Sequence, residues 1–205
     1  MKKAIVDVCY TLYSRNTTFA FIDYVLLRKF NKKSYLANKY LKFFLVGIGK
    51  IVKRDLYRRF YIRHLKGFKK IDLKELAQDF YYDVLDENKI KAVFSLLEKN
   101  KNDYKFILCS ASLDIIVEAI ISNNYMFESK FYSSQLRFVD DVCEGVLDKD
   151  LLGYKHQHIG EIDWVITDNK SDLERVKRAK TSTIIAKNKH VCFWNKNGIE
   201  VDIII

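Results

Sequence analysis

With 205 residues, 49% hydrophobic and 30% charged, the chain has the composition of a folded protein large enough to bury a sizeable core. No stretch is long and apolar enough to span a bilayer, and the first residues carry no leader-like apolar run, so cytoplasmic residence is the expectation. The net charge of +10 is unevenly spread: between Arg28 and Lys70 every charged residue except Asp55 is basic, a field that suits an anionic partner or simply a solvated helical face.

Taken in chain order, Ala4, Ile5 and Val6 read as a short strand buried on both faces, running straight into Asp7. In open parallel α/β sheets ligands bind at that end of a strand, although a lone aspartate there also serves as a turn or helix cap. From Thr17 to about Leu97 the apolar spacing is helical, with Asp72 and Glu75 marking one helix start and residues 86–98 forming one further amphipathic helix. Beyond the polar turn at 100–103 the period changes. Residues 104–109 read as a buried strand, Ser110-Ala111-Ser112 as a tight connection and 113–122 as a helix. Further strands are expected at 130–133, around 136–147 with a turn at Asp140-Asp141, at 163–167 and at 183–186, with a helix over 172–179. Residues 190–195 and 199–204 around Asn197-Gly198 read as a hairpin.

The expected fold is therefore α/β, a Rossmann-like parallel sheet core (residues 1–13 and 98–205) with an inserted all-helical cap domain (residues 14–97). Cys9, Cys109, Cys143 and Cys192 lie far apart and form no C-x-x-C pair, so they read as reduced thiols rather than a zinc site or disulfide framework.

Four short stretches bring chemistry to this frame: Asp7-Val8-Cys9-Tyr10-Thr11-Leu12, Leu108-Cys109-Ser110-Ala111-Ser112, Gly153-Tyr154-Lys155, and Ile166-Thr167-Asp168-Asn169-Lys170-Ser171-Asp172-Leu173. A carboxylate nucleophile, a hydroxyl, a point cation and an acidic pair are what phosphoryl transfer asks for. In this order they resemble the four motifs of the haloacid dehalogenase-like (HAD) superfamily. The helical insert after the first motif, with Ser133-Ser134-Gln135-Leu136 and Glu144-Gly145 before the third, is similar to the branch holding phosphoserine phosphatase and bacterial phosphatidylglycerophosphate phosphatases.

The resemblance implies a Mg²⁺-dependent phosphatase acting on a small or lipid-linked phosphomonoester. Asp7 would form the aspartyl-phosphate, with Thr11 beside it in the same catalytic loop. Ser110 and Lys155 would bind the phosphoryl oxygens. Mg²⁺ would sit between Asp7, the backbone carbonyl of Cys9 and Asp168, with Asp172 the further acid of the metal site, orienting the lysine or a metal-bound water. One departure matters. The family's phosphatases carry a second aspartate where this chain has Cys9, and that residue protonates the leaving group and then activates water. A thiol, ionising near pH ~8.5, is poorly suited to both tasks, and losing such a group costs on the order of 10²–10⁴ in rate. His156 and His158 follow Lys155 and are candidate replacements. Two alternatives stand beside the enzyme: a catalytically degenerate HAD domain that binds phosphate or another anion, and a nucleic-acid binder, which rests on charge alone and has no reader motif. An acidic membrane surface is a further partner that the basic cap would fit.

Overall fold

The fold, obtained as a computed structural model, describes residues 1–32, 34, 38–52, 55–152 and 162–205. Seven strands build one sheet: β1 (Lys2–Val6), β2 (Tyr104–Leu113), β3 (Tyr132–Val139), β4 (Val142–Lys149), β5 (Trp164–Thr167), β6 (Thr181–Ala186) and β7 (Ile203–Ile204). Their spatial order is β4-β3-β2-β1-β5-β6-β7. Every neighbouring pair is parallel except β3 and β4, an antiparallel hairpin that turns at Asp140 and Asp141, both at positive φ. The architecture is thus the expected α/β Rossmann type, with a mixed rather than wholly parallel sheet.

β1 lies in the middle of this sheet, flanked by β2 and β5. Its side chains alternate between two apolar layers. Ala4 and Val6 join a large cluster with Phe106, Leu108 and Ile166, whereas Ile5 packs on the other side with Cys109 and Leu151. That double coverage is why the strand is apolar at successive positions.

The described residues between β1 and β2 are helical: α1 (Thr17–Phe30), α2 (Lys39–Ile51), α3 (Leu56–Ile62) with a 3₁₀ turn (Arg63–Leu65), α4 (Lys70–Phe80) with a π turn (Tyr81–Leu85), and α5 (Lys91–Asn100). Asn16 caps α1 by accepting the Phe19 N–H at 3.3 Å, and Asp55 caps α3 by accepting the Arg58 N–H at 2.9 Å. Phe21, Ile22, Leu73, Phe80, Val93 and Leu97 bury one face of these helices in the same cluster as β1 and β2. Two expected boundaries move. α4 begins at Lys70, leaving Asp72 in its first turn, where a carboxylate favours the helix dipole. The helix expected over 86–98 splits into a 3₁₀ turn (Asp86–Asn88) and α5.

After β2 come α6 (Asp114–Ser122), α7 (Leu173–Arg178) and α8 (Asn188–Lys196). The C-terminal hairpin expected from the sequence is overturned. Residues 190–195 lie in α8, and Ile203–Ile204 pairs parallel with β6. Val191 and Trp194, one helical turn apart, pack together in the cluster of Val165 and Ile184, and Trp194 is fully buried there. Asn197-Gly198 serves as the helix terminator, Gly198 taking φ +73 and donating its N–H to the Asn195 carbonyl at 3.0 Å. Among the described residues no helix is long and apolar enough to cross a membrane.

Candidate active site

Because β1, β2 and β5 are parallel, their C-terminal ends share one edge of the sheet. Val6 lies in register with Leu108 on one side and Ile166 on the other. Asp7 follows β1 directly, is buried, and donates its N–H to the Ile166 carbonyl at 3.0 Å. Asp168 follows β5, so the two carboxylates leave adjacent strands side by side.

Thr11 joins the two loops. Its hydroxyl donates to Asp168 Oδ1 at 3.2 Å and accepts the Asp168 N–H at 2.9 Å, although 157 residues separate them in sequence. The loop curls tightly to bring Thr11 there. The Leu12 and Tyr13 N–H groups both bond the Val8 carbonyl, and Tyr10 adopts φ 55, an αL conformation unusual outside glycine. The Val8 N–H donates to Asp7 Oδ1 at 2.7 Å. Burial, with Cys9 and then Asp168 nearby, raises the pKa of the Tyr10 phenol, over whose ring the Lys187 ammonium sits at 4.4 Å.

Asp172 is buried, accepting the Thr167 hydroxyl proton at 2.8 Å with the Arg175 guanidinium 3.8 Å away. Arg175 is itself buried and also reaches Cys109 Sγ at 3.7 Å. Arg175 goes unmarked in the sequence reading, although its place three residues after Asp172 is the available signal for a cation beside the acidic loop. Ser110 is buried within β2, its Oγ accepting the Ser112 N–H at 3.2 Å; the strand continues through the expected tight connection to Leu113. Lys155, His156 and His158 lie outside the described residues.

Cys9 is engaged with the start of α1. Its Sγ lies 3.2 Å from Thr17 Oγ1 and accepts the Thr17 N–H at 3.4 Å, and Thr17 Oγ1 in turn lies 2.6 Å from Ser112 Oγ. This chain of thiol and hydroxyls ties the first loop, the first inserted helix and the end of β2. A second tie runs through Arg58 on α3, which donates to Asp150 at 2.5 Å, to the Ala111 carbonyl at 2.5 Å and to Ser134 Oγ at 3.0 Å. Sequence reasoning counted Arg58 only as one basic residue among many. Beside it a groove of about 450 Å³ separates α3 from β4, with Arg59, Arg63, Asp148 and Asp150 on its walls.

Among the described residues no cluster of three or more carboxylate, thiol or imidazole side chains forms a ready-made metal cage. Two carboxylates at a strand edge, completed by main-chain carbonyl and water, are nonetheless the oxygen-only donor set that Mg²⁺ uses, so Asp7 and Asp168 fit that ion.

The family described as haloacid dehalogenase-like hydrolase matches residues 4–175. A search of curated proteins gave no match. Solved structures share the fold over nearly the whole chain. A protein of unknown function from Bordetella pertussis Tohama I is 12% identical with TM-score 0.71, covering 98% of this chain and 97% of its own. Phosphoserine phosphatase in its apo form is 16% identical with TM-score 0.61, covering 100% and 94%. A phospho-aspartyl intermediate analogue of phosphoserine phosphatase is 16% identical with TM-score 0.56, over the same 100% and 94%.

Proposed function

Because the chain belongs to the haloacid dehalogenase-like hydrolases, we propose that it is a Mg²⁺-dependent phosphomonoesterase acting on a small or lipid-linked phosphate ester. The observation that carries this reading is the Thr11 clasp, which holds Asp168 against the loop that presents Asp7. Asp7 attacks phosphorus and the ester P–O bond breaks, the leaving oxygen taking a proton from water; a water molecule then cleaves the aspartyl-phosphate, releasing phosphate and regenerating the Asp7 carboxylate. Ser110 donates to a phosphoryl oxygen. Lys155 is assigned the balancing positive charge from its motif alone. Asp7, Asp168 and the Cys9 carbonyl would hold Mg²⁺, which supplies charge neutralisation at the phosphoryl group. Asp172, fixed by Thr167 and Arg175, orients this set from behind.

In the same reading residues 1–13 and 98–205 form the catalytic core and residues 14–97 a cap over its edge, with Arg58 fastening one to the other. An acidic membrane surface is the partner of the basic cap. A second reading, a phosphate- or anion-binding protein without turnover, is favoured by one observation: the residue at the acid/base position is a thiol already bonded to Thr17. The deciding measurement is hydrolysis of para-nitrophenyl phosphate with Mg²⁺. Turnover that falls about 10³-fold or more in Asp7→Asn supports the enzyme. No turnover, with phosphate binding retained, supports the binding protein.

A further inference from the structure

We infer that the outward face of α2 is the element that seats this protein on an anionic lipid bilayer. The inference deepens the membrane partner proposed above, and it stands on the geometry of one helix. α2 is apolar on two sides. Leu41 and Leu45 face inward, Leu45 buried in the large core cluster and Leu41 packed against it. Tyr40, Phe43, Phe44 and Ile51, at helical spacing on the other side, are 86%, 83%, 60% and 82% exposed. An inward stripe alone would account for a helix covering a core. Four large apolar side chains held in water along a second stripe need a covering surface.

Charge selects the occupant. α2 carries no acidic residue, Lys39 and Lys42 are exposed at its start with the Lys42 ammonium over the Tyr57 ring of α3, and the sequence on either side of the helix is basic, with Lys32 and Lys33 before it and Lys53 and Arg54 after it. A second copy of the chain would press two such basic regions together. A nucleic acid would satisfy the cations but leave Ile51 and the outward phenyl rings wet. An acidic bilayer meets both needs, with lipid phosphates around the lysines and acyl chains beneath the rings. The helix length agrees. Its 13 residues span about 20 Å against the ~30 Å of a hydrocarbon core, so α2 lies in the interface plane and does not cross it.

The test is flotation of the full-length protein with phosphatidylcholine vesicles, with and without about one third phosphatidylglycerol. Binding is expected only to the acidic vesicles, weakening about tenfold or more between low salt and 0.5 M NaCl. Phe43→Ser combined with Phe44→Ser should weaken it about tenfold or more while leaving hydrolysis of soluble aryl phosphate unchanged. Lys39→Glu with Lys42→Glu should weaken it too. Should the serine variant fail to fold, Phe43→Trp gives the same answer through a blue-shifted, quencher-protected fluorescence on acidic vesicles. Absence of binding at low salt, binding indifferent to these substitutions, or a concentration-dependent dimer that the serine variant abolishes would overturn the inference. Asp7→Asn should bind vesicles like the native chain, so a failed phosphatase reading and a failed docking surface give different results.

Discussion

The C-terminal edge of the sheet and the outer face of α2 treat polarity in opposite ways. At the edge, polar side chains are buried and bonded to one another: Asp7, Thr11, Ser110, Ser112 and Asp172 are all enclosed. On α2, rings and aliphatic side chains stand in water while the neighbouring cations are also exposed. A buried polar group is tolerated only when every partner is in position, which fixes the edge sharply. An exposed apolar face is tolerated only until something covers it. On the proposed reading, chemistry belongs to the strands and their loops, and recognition to the helices between β1 and β2.

The largest expected effect comes from restoring an acid at the edge. Cys9→Asp should raise Mg²⁺-dependent phosphatase turnover, by up to the general-acid factor of about 10²–10⁴, equivalent to roughly 3–5 kcal/mol of barrier. The carboxylate would inherit the Thr17 N–H, now 3.4 Å from the thiol sulfur, as a donor. It would also sit near Asp7 and Asp168, so the gain should vanish when the cation is chelated. Steady-state kinetics with and without EDTA measures both parts. Unchanged turnover in a variant that still binds Mg²⁺ would show that position 9 is not the missing function and would favour the binding protein.

Next in size is the fastening of α3 to the strands by Arg58. Arg58→Ala removes bonds to Asp150, Ala111 and Ser134 at once and leaves buried acceptors behind. Asp150 is partly exposed and water compensates it, so a loss of about 2–3 kcal/mol is expected in urea denaturation. KM should also rise, because the Ala111 carbonyl lies in the segment carrying Ser110. A stability loss with KM unchanged would show that Arg58 holds the fold without bearing on the site.

What was legible in the sequence follows the same divide. β1 with Asp7, the β3–β4 turn at Asp140-Asp141 and the helical character of the insert each rest on a local signal, a buried run, a turn pair or a 3.6-residue period, and each is found. The C-terminal segment was misread because Asn197-Gly198 fits both a hairpin turn and a helix end; the burial of Trp194 decides, and one sequence does not display burial. Thr17, Ser112 and Arg58 were missed as site neighbours for a related reason. Their significance comes from contacts across 8 to 95 residues, which no spacing rule encodes.

A smaller effect probes the contact between β4 and the segment that follows α3. β4 bends at Gly145, whose φ of +69 is costly for any other residue. An added Cβ would also meet Lys66 Cβ at 2.9 Å and the Arg63 backbone at 3.1 Å. Residues 67–70 run alongside this strand, exchanging N–H···O bonds with Cys143 and Asp141 at 2.8 Å, which covers an otherwise open sheet edge. Gly145→Ala should cost about 1–3 kcal/mol, read as a Tm lower by several degrees. A Tm equal to that of the native chain would mean that the inserted segment shifts freely against β4.

The smallest effect separates the regions by the sign of their pH dependence. Asp114, in the first turn of α6, accepts the Leu136 N–H at 3.3 Å, and burial is the main cause of a pKa raised above its ordinary 3.8, with Glu118 adding to the rise. A carboxyl group whose folded pKa is raised holds its proton longer in the native state than in the unfolded chain. Its influence is thus stabilising at low pH and is lost as pH climbs from about 3.8 through the folded value. Asp83, in the insert, goes the other way. The Tyr24 hydroxyl and then Arg28 lower its pKa, so its contribution is present above 3.8 and disappears as pH falls through the depressed value. Asp114→Asn should accordingly flatten a decline of stability as pH rises above about 3.8, while Asp83→Asn should remove a gain that builds as pH rises toward 3.8 from below. Because Asp83 and Arg28 are exposed, 0.5 M NaCl should diminish the Asp83 effect and leave that of Asp114 largely intact. Urea denaturation between pH 2 and 7 at two salt concentrations resolves the pair. If both variants shift stability in the same direction, the core and insert carboxylates do not differ in the way their surroundings dictate.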